Sequence, residues 1–255
     1  MRLHVVGCHG GETRRHRTSA FVLDDVLAID AGSLTSAMDL RAQCKLQAVL
    51  VSHAHLDHVR DLATIADNRA QCGAQALVIA GTRVTIDILK RHFFNGKLWP
   101  DFSQIPSAAA PTIRFQVLSP ERRTDIAGYT VFAVLVSHTI ETSAFVVERG
   151  GRTIAYSGDT GPTDRLWTVL NETPGLGALL MEVSFPDEEQ SLATLSGHHT
   201  PNTLAKDIAK LRDPKGVPTL LYHIKPVFQA SVEKQCARLR GANLTVLELE
   251  DEFLI

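Results

Sequence analysis

The stretch Ser52-His53-Ala54-His55-Leu56-Asp57-His58 places three histidines and an aspartate within six residues, His53 to His58. It follows directly on the apolar run Leu46-Gln47-Ala48-Val49-Leu50-Val51, which is short and aliphatic and reads as a buried strand. From Asp57 to Cys72 there is no proline, and Leu62, Ile65 and Ala66 recur at helical spacing. The cluster therefore lies where a strand hands over to a helix. His53 and His55 are expected to project from the strand end, and Asp57 and His58 from the first helical turn. Imidazole and carboxylate groups of this kind ligate zinc, manganese or iron.

Working outward, the chain repeats itself. Ala133-Val134-Leu135-Val136-Ser137-His138 is the same hexapeptide as Ala48-Val49-Leu50-Val51-Ser52-His53. This suggests two similar halves, each ending a buried strand with serine and then histidine, and makes His138 the next ligand. Strand Arg152 to Tyr156 runs into Ser157-Gly158-Asp159-Thr160-Gly161-Pro162. Glycines on both sides of Asp159 expose its carboxylate, which can bridge two cations. Val217 to Tyr222 is a further strand and ends in His223. Every candidate ligand thus closes a strand, as expected if all share one site.

Other stretches keep two readings. The segment Gly7-Cys8-His9-Gly10-Gly11-Glu12-Thr13-Arg14-Arg15-His16-Arg17 is a solvated loop or a phosphate contact through its arginines. Asp30, in Ile29-Asp30-Ala31-Gly32, either supports a metal ligand from behind or forms a turn. The aromatic stretch from Phe93 to Phe102 either stacks on a base or packs over the core. In Ser196-Gly197-His198-His199-Thr200-Pro201, Thr200 is a good helix N-cap with proline at the first helical position. His198 and His199 then sit on a loop entering a helix, where anions are favoured.

Composition narrows the class. A chain of 255 residues can bury a sizeable core, and we expect residues 1–255 to form one domain. The formal net charge of −2 argues against a surface built for general nucleic-acid or membrane binding. There is no apolar run of bilayer length and no secretory-signal pattern at the start. Cys8, Cys44, Cys72 and Cys236 are scattered without a C-x-x-C pair, which suggests neither a disulfide frame nor a thiolate zinc site. The expectation is a soluble, cytoplasmic protein with reduced thiols, with a homodimer allowed.

The motifs together resemble the metallo-β-lactamase fold family. The resemblance covers nearly the whole chain, through Ile29-Asp30-Ala31-Gly32, the H-x-H-x-D-H motif at His53 to His58, then His138, Asp159 and His223 in family order. It implies an α/β fold, an αβ/βα sandwich of two mixed β-sheets flanked by helices. It also implies two divalent metal ions, zinc first, with manganese or iron as alternatives. His53, His55 and His138 would hold one, Asp57, His58 and His223 the other, and Asp159 would bridge.

Within that family several segments resemble the class II cyclic-nucleotide phosphodiesterases. Leu56 supplies the leucine of their H-x-H-L-D-H-x-x-G signature, although Asp61 occupies the position of its glycine. The segment from Phe94 to Asp101 resembles their F-N-x-x-x-W-P, which puts Asn95 and Trp99 at the substrate. Met181-Glu182-Val183-Ser184 and Gly197-His198-His199-Thr200-Pro201 resemble their E-x-S and G-H-L-[ST]-P segments. This implies hydrolysis of a small phosphodiester, a 3′,5′-cyclic nucleotide, to the nucleoside 5′-monophosphate. His198 is expected to act as general acid, oriented by Glu182, with Asp57 also catalytic and His199 and Thr200 as substrate contacts. The same segments are similar to the tRNA 3′-processing endonuclease tRNase Z, a second reading with RNA as partner. The histidine before Glu182 and the glycine- and proline-rich arm of that enzyme are missing. A third reading is a thioester, lactone or β-lactam hydrolase, which would not require the His198 loop.

Overall fold

A computed structural model describes residues 1–255. In chain order the first half supplies β1 (Arg2–Gly7), β2 (Ala20–Leu23), β3 (Leu27–Ile29), β4 (Ala48–Leu50), β5 (Leu77–Thr82), a small hairpin of β6 (Pro106–Ser107) and β7 (Ala110–Pro111), and β8 (Ile113–Leu118). The second half supplies β9 (Arg123–Ile126), β10 (Tyr129–Val136), β11 (Thr142–Arg149), β12 (Arg152–Tyr156), β13 (Leu176–Glu182), β14 (Pro218–Tyr222), β15 (Asn243–Val246) and β16 (Glu252–Leu254). Two seven-stranded sheets result, β16-β1-β2-β3-β4-β5-β8 and β15-β14-β13-β12-β11-β10-β9. Both are mixed, because β3-β4-β5-β8 and β12-β13-β14-β15 run parallel and the other pairs antiparallel.

The sheets pack face to face with helices outside. Successive strand residues point to opposite faces, so Phe21 and Leu23 of β2 enter the layer between the sheets while Ala20 and Val22 face outward. Phe21 meets Tyr156 and Tyr222 of the opposite sheet at ring-centroid distances of 5.6 and 5.3 Å. Helices α1 (Leu40–Lys45), α2 (Leu56–Val59), α3 (Leu62–Gln71) and α4 (Arg83–Ile88) belong to the first half. Leu62, Ile65 and Ile86 from this group cover the outer face of the first sheet. The second half carries α5 (Arg165–Glu172), α6 (Gln190–Ser196), α7 (Pro201–Ile208) and α8 (Gln229–Cys236), and Trp167, Leu204, Ile208 and Val232 cover its sheet. With both faces covered, strands read as continuous apolar runs rather than alternating ones. No helix is long and apolar enough to cross a membrane.

Two differences from the sequence reading have physical causes. Cys44 and Cys72 are joined as a disulfide although 28 residues apart, which corrects the expectation of separate thiols. Packing of α1 on α3 brings them together, and no local spacing announces it. The repeated hexapeptide occupies unlike places. In β4 its leucine, Leu50, is buried, whereas Leu135 near the end of β10 is 42% exposed. One copy lies in parallel pairing and the other in antiparallel pairing, yet both deliver a histidine to the same centre.

Candidate active site

The first sheet delivers four of the cluster side chains through β4 and α2. His55 is the N-cap of α2, and Asp57 and His58 lie in its single turn. Behind them stands Asp30, fully buried and in the left-handed region (φ 56°) at the end of β3. Its carboxylate accepts from the Ser52 amide (2.8 Å), the Ser52 hydroxyl (2.8 Å), the Tyr156 hydroxyl (2.6 Å) and His58 Nδ1 (2.7 Å). Because the Ser52 proton goes to Asp30, its oxygen accepts from His53 Nδ1 at 3.0 Å. Both imidazoles are thereby turned so that Nε2 faces the centre, as expected of supported metal ligands. Asp30 is therefore a supporting residue and not merely a turn former.

The second sheet delivers the remainder from the ends of β10, β12 and β14. His138 donates through Nδ1 to the Gly197 carbonyl at 2.9 Å. Gly197 has φ 68°, and a Cβ there would stand 3.1 Å from His138 Nδ1, so this approach requires glycine. His223 Nδ1 lies 2.9 Å from Ser184 Oγ, which donates to Glu182 Oε2 at 2.9 Å. A buried carboxylate, a serine and a histidine are thus linked on both sheets.

The side chains converge into two neighbouring sets that could hold a metal ion, the offered atoms of each within 4.8 Å of one another: His53, His55 and His138, and Asp57, His58 and His223. Asp159 joins them, with Oδ2 at 3.2 Å from both His58 Nε2 and His223 Nε2 and 3.8 Å from His53 Nε2. Its other oxygen, Oδ1, is buried with no hydrogen-bond partner. An unpartnered buried carboxylate oxygen is costly, and among imidazole nitrogens it is a donor set that suits a divalent cation. Burial alone would raise the Asp159 pKa, but His223, His58 and His53 outweigh it and hold the carboxyl well below its ordinary range. Asp57, half-buried at the rim, is also held low, by His223 and His58 against the same burial.

Beside this cluster His198 donates through Nδ1 to Glu182 Oε1 at 3.1 Å. Its ring stacks on His223 at 5.2 Å and meets His138 at 5.0 Å. Burial works against charging this imidazole, but the Glu182 carboxylate, through charge and hydrogen bond, outweighs it and raises the His198 pKa. Glu182, fully buried, is itself held low, chiefly by His198 against its own desolvation.

Four residues expected at the substrate are committed elsewhere. His199 is fully buried, its Nδ1 3.0 Å from Thr203 Oγ1 and its Nε2 3.7 Å from Asp207. Only its backbone faces the site, donating to Glu182 at 3.1 Å. Thr200 caps α7 in a capping box with Thr203, and its hydroxyl donates to Gln190 at 2.8 Å. Trp99 packs against the core outside the first sheet and donates from Nε1 to the Ala63 carbonyl. The Asn95 side chain accepts from the Lys97 and Leu98 amides of its own turn. Asp61, which replaces the signature glycine, accepts from the Thr35 amide and hydroxyl, both at 2.7 Å, and ties the 33–35 turn to α3. Ser52, Ser184 and Tyr156 are the supporting residues that spacing alone did not single out.

Two mixed sheets flanked by helices, with a shared cluster of seven imidazole and carboxylate side chains between them, define a metallo-β-lactamase fold. The chain belongs to the beta-lactamase superfamily, whose domain matches residues 26–224. A probable 3′,5′-cyclic-nucleotide phosphodiesterase of Yersinia pestis is 31% identical over 206 residues, 72% of this chain and 58% of that protein. The chain thus spans little more than half the length of the curated relatives it matches. Among solved structures, unliganded yeast PDE1 superposes with a TM-score of 0.84 at 16% identity, over 100% of this chain and 99% of that one. Human tRNase Z, short form, superposes with a TM-score of 0.72 at 19% identity, over 100% of this chain and 99% of that one. At those identities the two structures speak to the fold.

Proposed function

We propose that the chain is a phosphodiesterase that hydrolyses 3′,5′-cyclic nucleotides to nucleoside 5′-monophosphates at a centre of two divalent cations. The observation that carries this reading is the Glu182–His198 pair set against the seven-ligand cluster. A cluster alone suits any hydrolase of the fold, whereas a proton donor beside it suits a poor leaving group such as a ribose alkoxide. The name of the Yersinia pestis relative supports the same substrate class.

His53, His55 and His138 would hold one cation, Asp57, His58 and His223 the other, with Asp159 between them. When bound, such ions lower the pKa of a water and offset charge on the phosphoryl oxygens. Zinc is the first choice, with manganese and iron suited to the same ligands. Asp57, half-exposed, is placed to accept a hydrogen bond from the attacking water. His198 gives its Nδ1 proton to the bond with Glu182, so Nε2 is the atom that protonates the departing 3′-oxygen. Water oxygen ends on phosphorus and the 3′-oxygen leaves as a hydroxyl. In this reading residues 1–255 act as one catalytic domain, in the cytoplasm, on a small molecule.

The test is hydrolysis of 3′,5′-cAMP and 3′,5′-cGMP by zinc- and manganese-loaded protein, beside bis-p-nitrophenyl phosphate and a tRNA precursor. Release of 5′-AMP or 5′-GMP supports the proposal. Cleavage of the precursor with no action on cyclic nucleotides would replace it with an RNA-processing role.

A further inference from the structure

A recess of about 690 Å³ opens beside His198, between the loop after β1 and the turn before α8. That size lies within the range of small-molecule sites. Phe185, Pro226, Val227 and Phe228 give it an apolar floor, with His16 and Lys225 at its edge. The Phe185 ring is 5.8 Å from that of His198 and 5.8 Å from that of Phe228, so the floor begins one aromatic ring away from the proton donor. Lys225 follows His223 by two residues, and its stem lies against Gly10, where a Cβ would stand 3.0 Å from it.

The recess is held open from both sides. Glu12 forms an ion pair with Arg60, which follows α2. His16 donates through Nε2 to the Gln229 side chain, at the start of α8, at 2.8 Å. The loop from Gly11 to His16 is therefore pinned to the end of α2 and to the start of α8. Val227 remains 83% exposed at the rim, a large apolar side chain with no protein cover.

We infer that this recess is the nucleoside subsite: the base stacks on Phe228, and Lys225 meets the negative charge of the phosphodiester. The inference rests on the proposed phosphodiesterase reading for the position of the phosphate. A nucleobase offers a flat apolar face to an aromatic ring whatever its edge pattern, and a lysine among the lining residues suits a nucleotide better than a neutral ester or a thioester.

The experiment is titration calorimetry of the zinc-loaded chain with 5′-AMP and with ribose 5-phosphate, which carries the same phosphate and sugar without a base. Wild-type protein should bind 5′-AMP at least about tenfold more tightly, the scale of one base–ring stack. Phe228→Ala should bring the two affinities together while leaving that for ribose 5-phosphate within about twofold. Phe228→Leu, which keeps apolar volume but removes the ring, should lose most of the preference and guards against a folding defect. Equal binding of both ligands by wild type overturns the inference, as does a preference that survives both substitutions. Equal weakening of both ligands by both variants does so too. Because binding is read directly, base recognition through Phe228 without cyclic-nucleotide hydrolysis would sink the proposed reaction and leave the subsite standing.

Discussion

The Asp30 carboxylate accepts a hydrogen bond from His58 Nδ1 at 2.7 Å, with neither side chain exposed to solvent. Through Ser52 the same carboxylate orients His53. One residue outside both candidate sets therefore sets the tautomer and direction of a histidine in each. Removing such a supporting group lowers metal affinity about 10–100-fold. Asp30→Asn should show a loss of that size in competition titrations against a chromophoric chelator. Unchanged affinity would limit Asp30 to shaping the end of β3.

Asp159 Oδ2 lies within 3.8 Å of a histidine of one set, His53, and of two of the other, His58 and His223, and its Oδ1 has no hydrogen-bond partner in the protein. Asp159→Ala should abolish two-metal occupancy, read as metal per chain by mass spectrometry after dialysis. Two ions retained together with full activity would refute the bridging role.

His198 matters in proportion to the difficulty of the leaving group. General acid assistance contributes roughly 10²–10⁴-fold, so His198→Ala should lose about that much kcat on 3′,5′-cAMP. The loss should be far smaller on bis-p-nitrophenyl phosphate, since p-nitrophenolate departs without a proton. Equal losses on both would remove His198 from the role.

The pH profile carries the sign of the same pair. Glu182 raises the His198 pKa against the opposing effect of burial. The imidazolium therefore persists above its ordinary range, and activity should fall as pH rises through the raised value. Glu182→Gln removes the charge and should move that basic limb to lower pH in kcat/KM profiles, with metal content measured alongside. A limb that stays in place would show that another group controls it.

Trp99 gives the contrasting outcome. Its indole packs against the core and donates to the Ala63 carbonyl at 3.1 Å, so Trp99→Phe loses that hydrogen bond and some packing, at a cost of about 0.5–1.5 kcal/mol. Urea unfolding should show that loss with kcat/KM changed less than about twofold. A selective rise in KM with no loss of stability would restore Trp99 to the substrate.

The convergence of the seven side chains was legible because their segments follow apolar runs, and such runs become strands whose ends meet at one rim of a sheet. The layered architecture itself was implied by the resemblance of the motifs to the metallo-β-lactamase family, not by the apolar runs. Side-chain direction was not. His199 and Thr200 follow His198 directly, yet the turn into α7 aims one histidine at the centre and the next at Asp207. Motif spacing also misplaced Asn95, whose side chain closes its own turn. The contact of Cys44 with Cys72 and the return of β16 to pair with β1 are long-range outcomes of packing. No local pattern encodes them.

The candidate ligands come from both sheets, and the layer between those sheets is filled by side chains such as Phe21, Tyr156 and Tyr222. Any ion that needs all of its ligands thus acts as a clasp across the sandwich, and its hold depends on how the two layers lie against each other. Metal affinity becomes a gauge of interlayer fit. A repacked interior that shifts one sheet along the other would show first as weakened ion binding, with every ligand intact and the fold still cooperative.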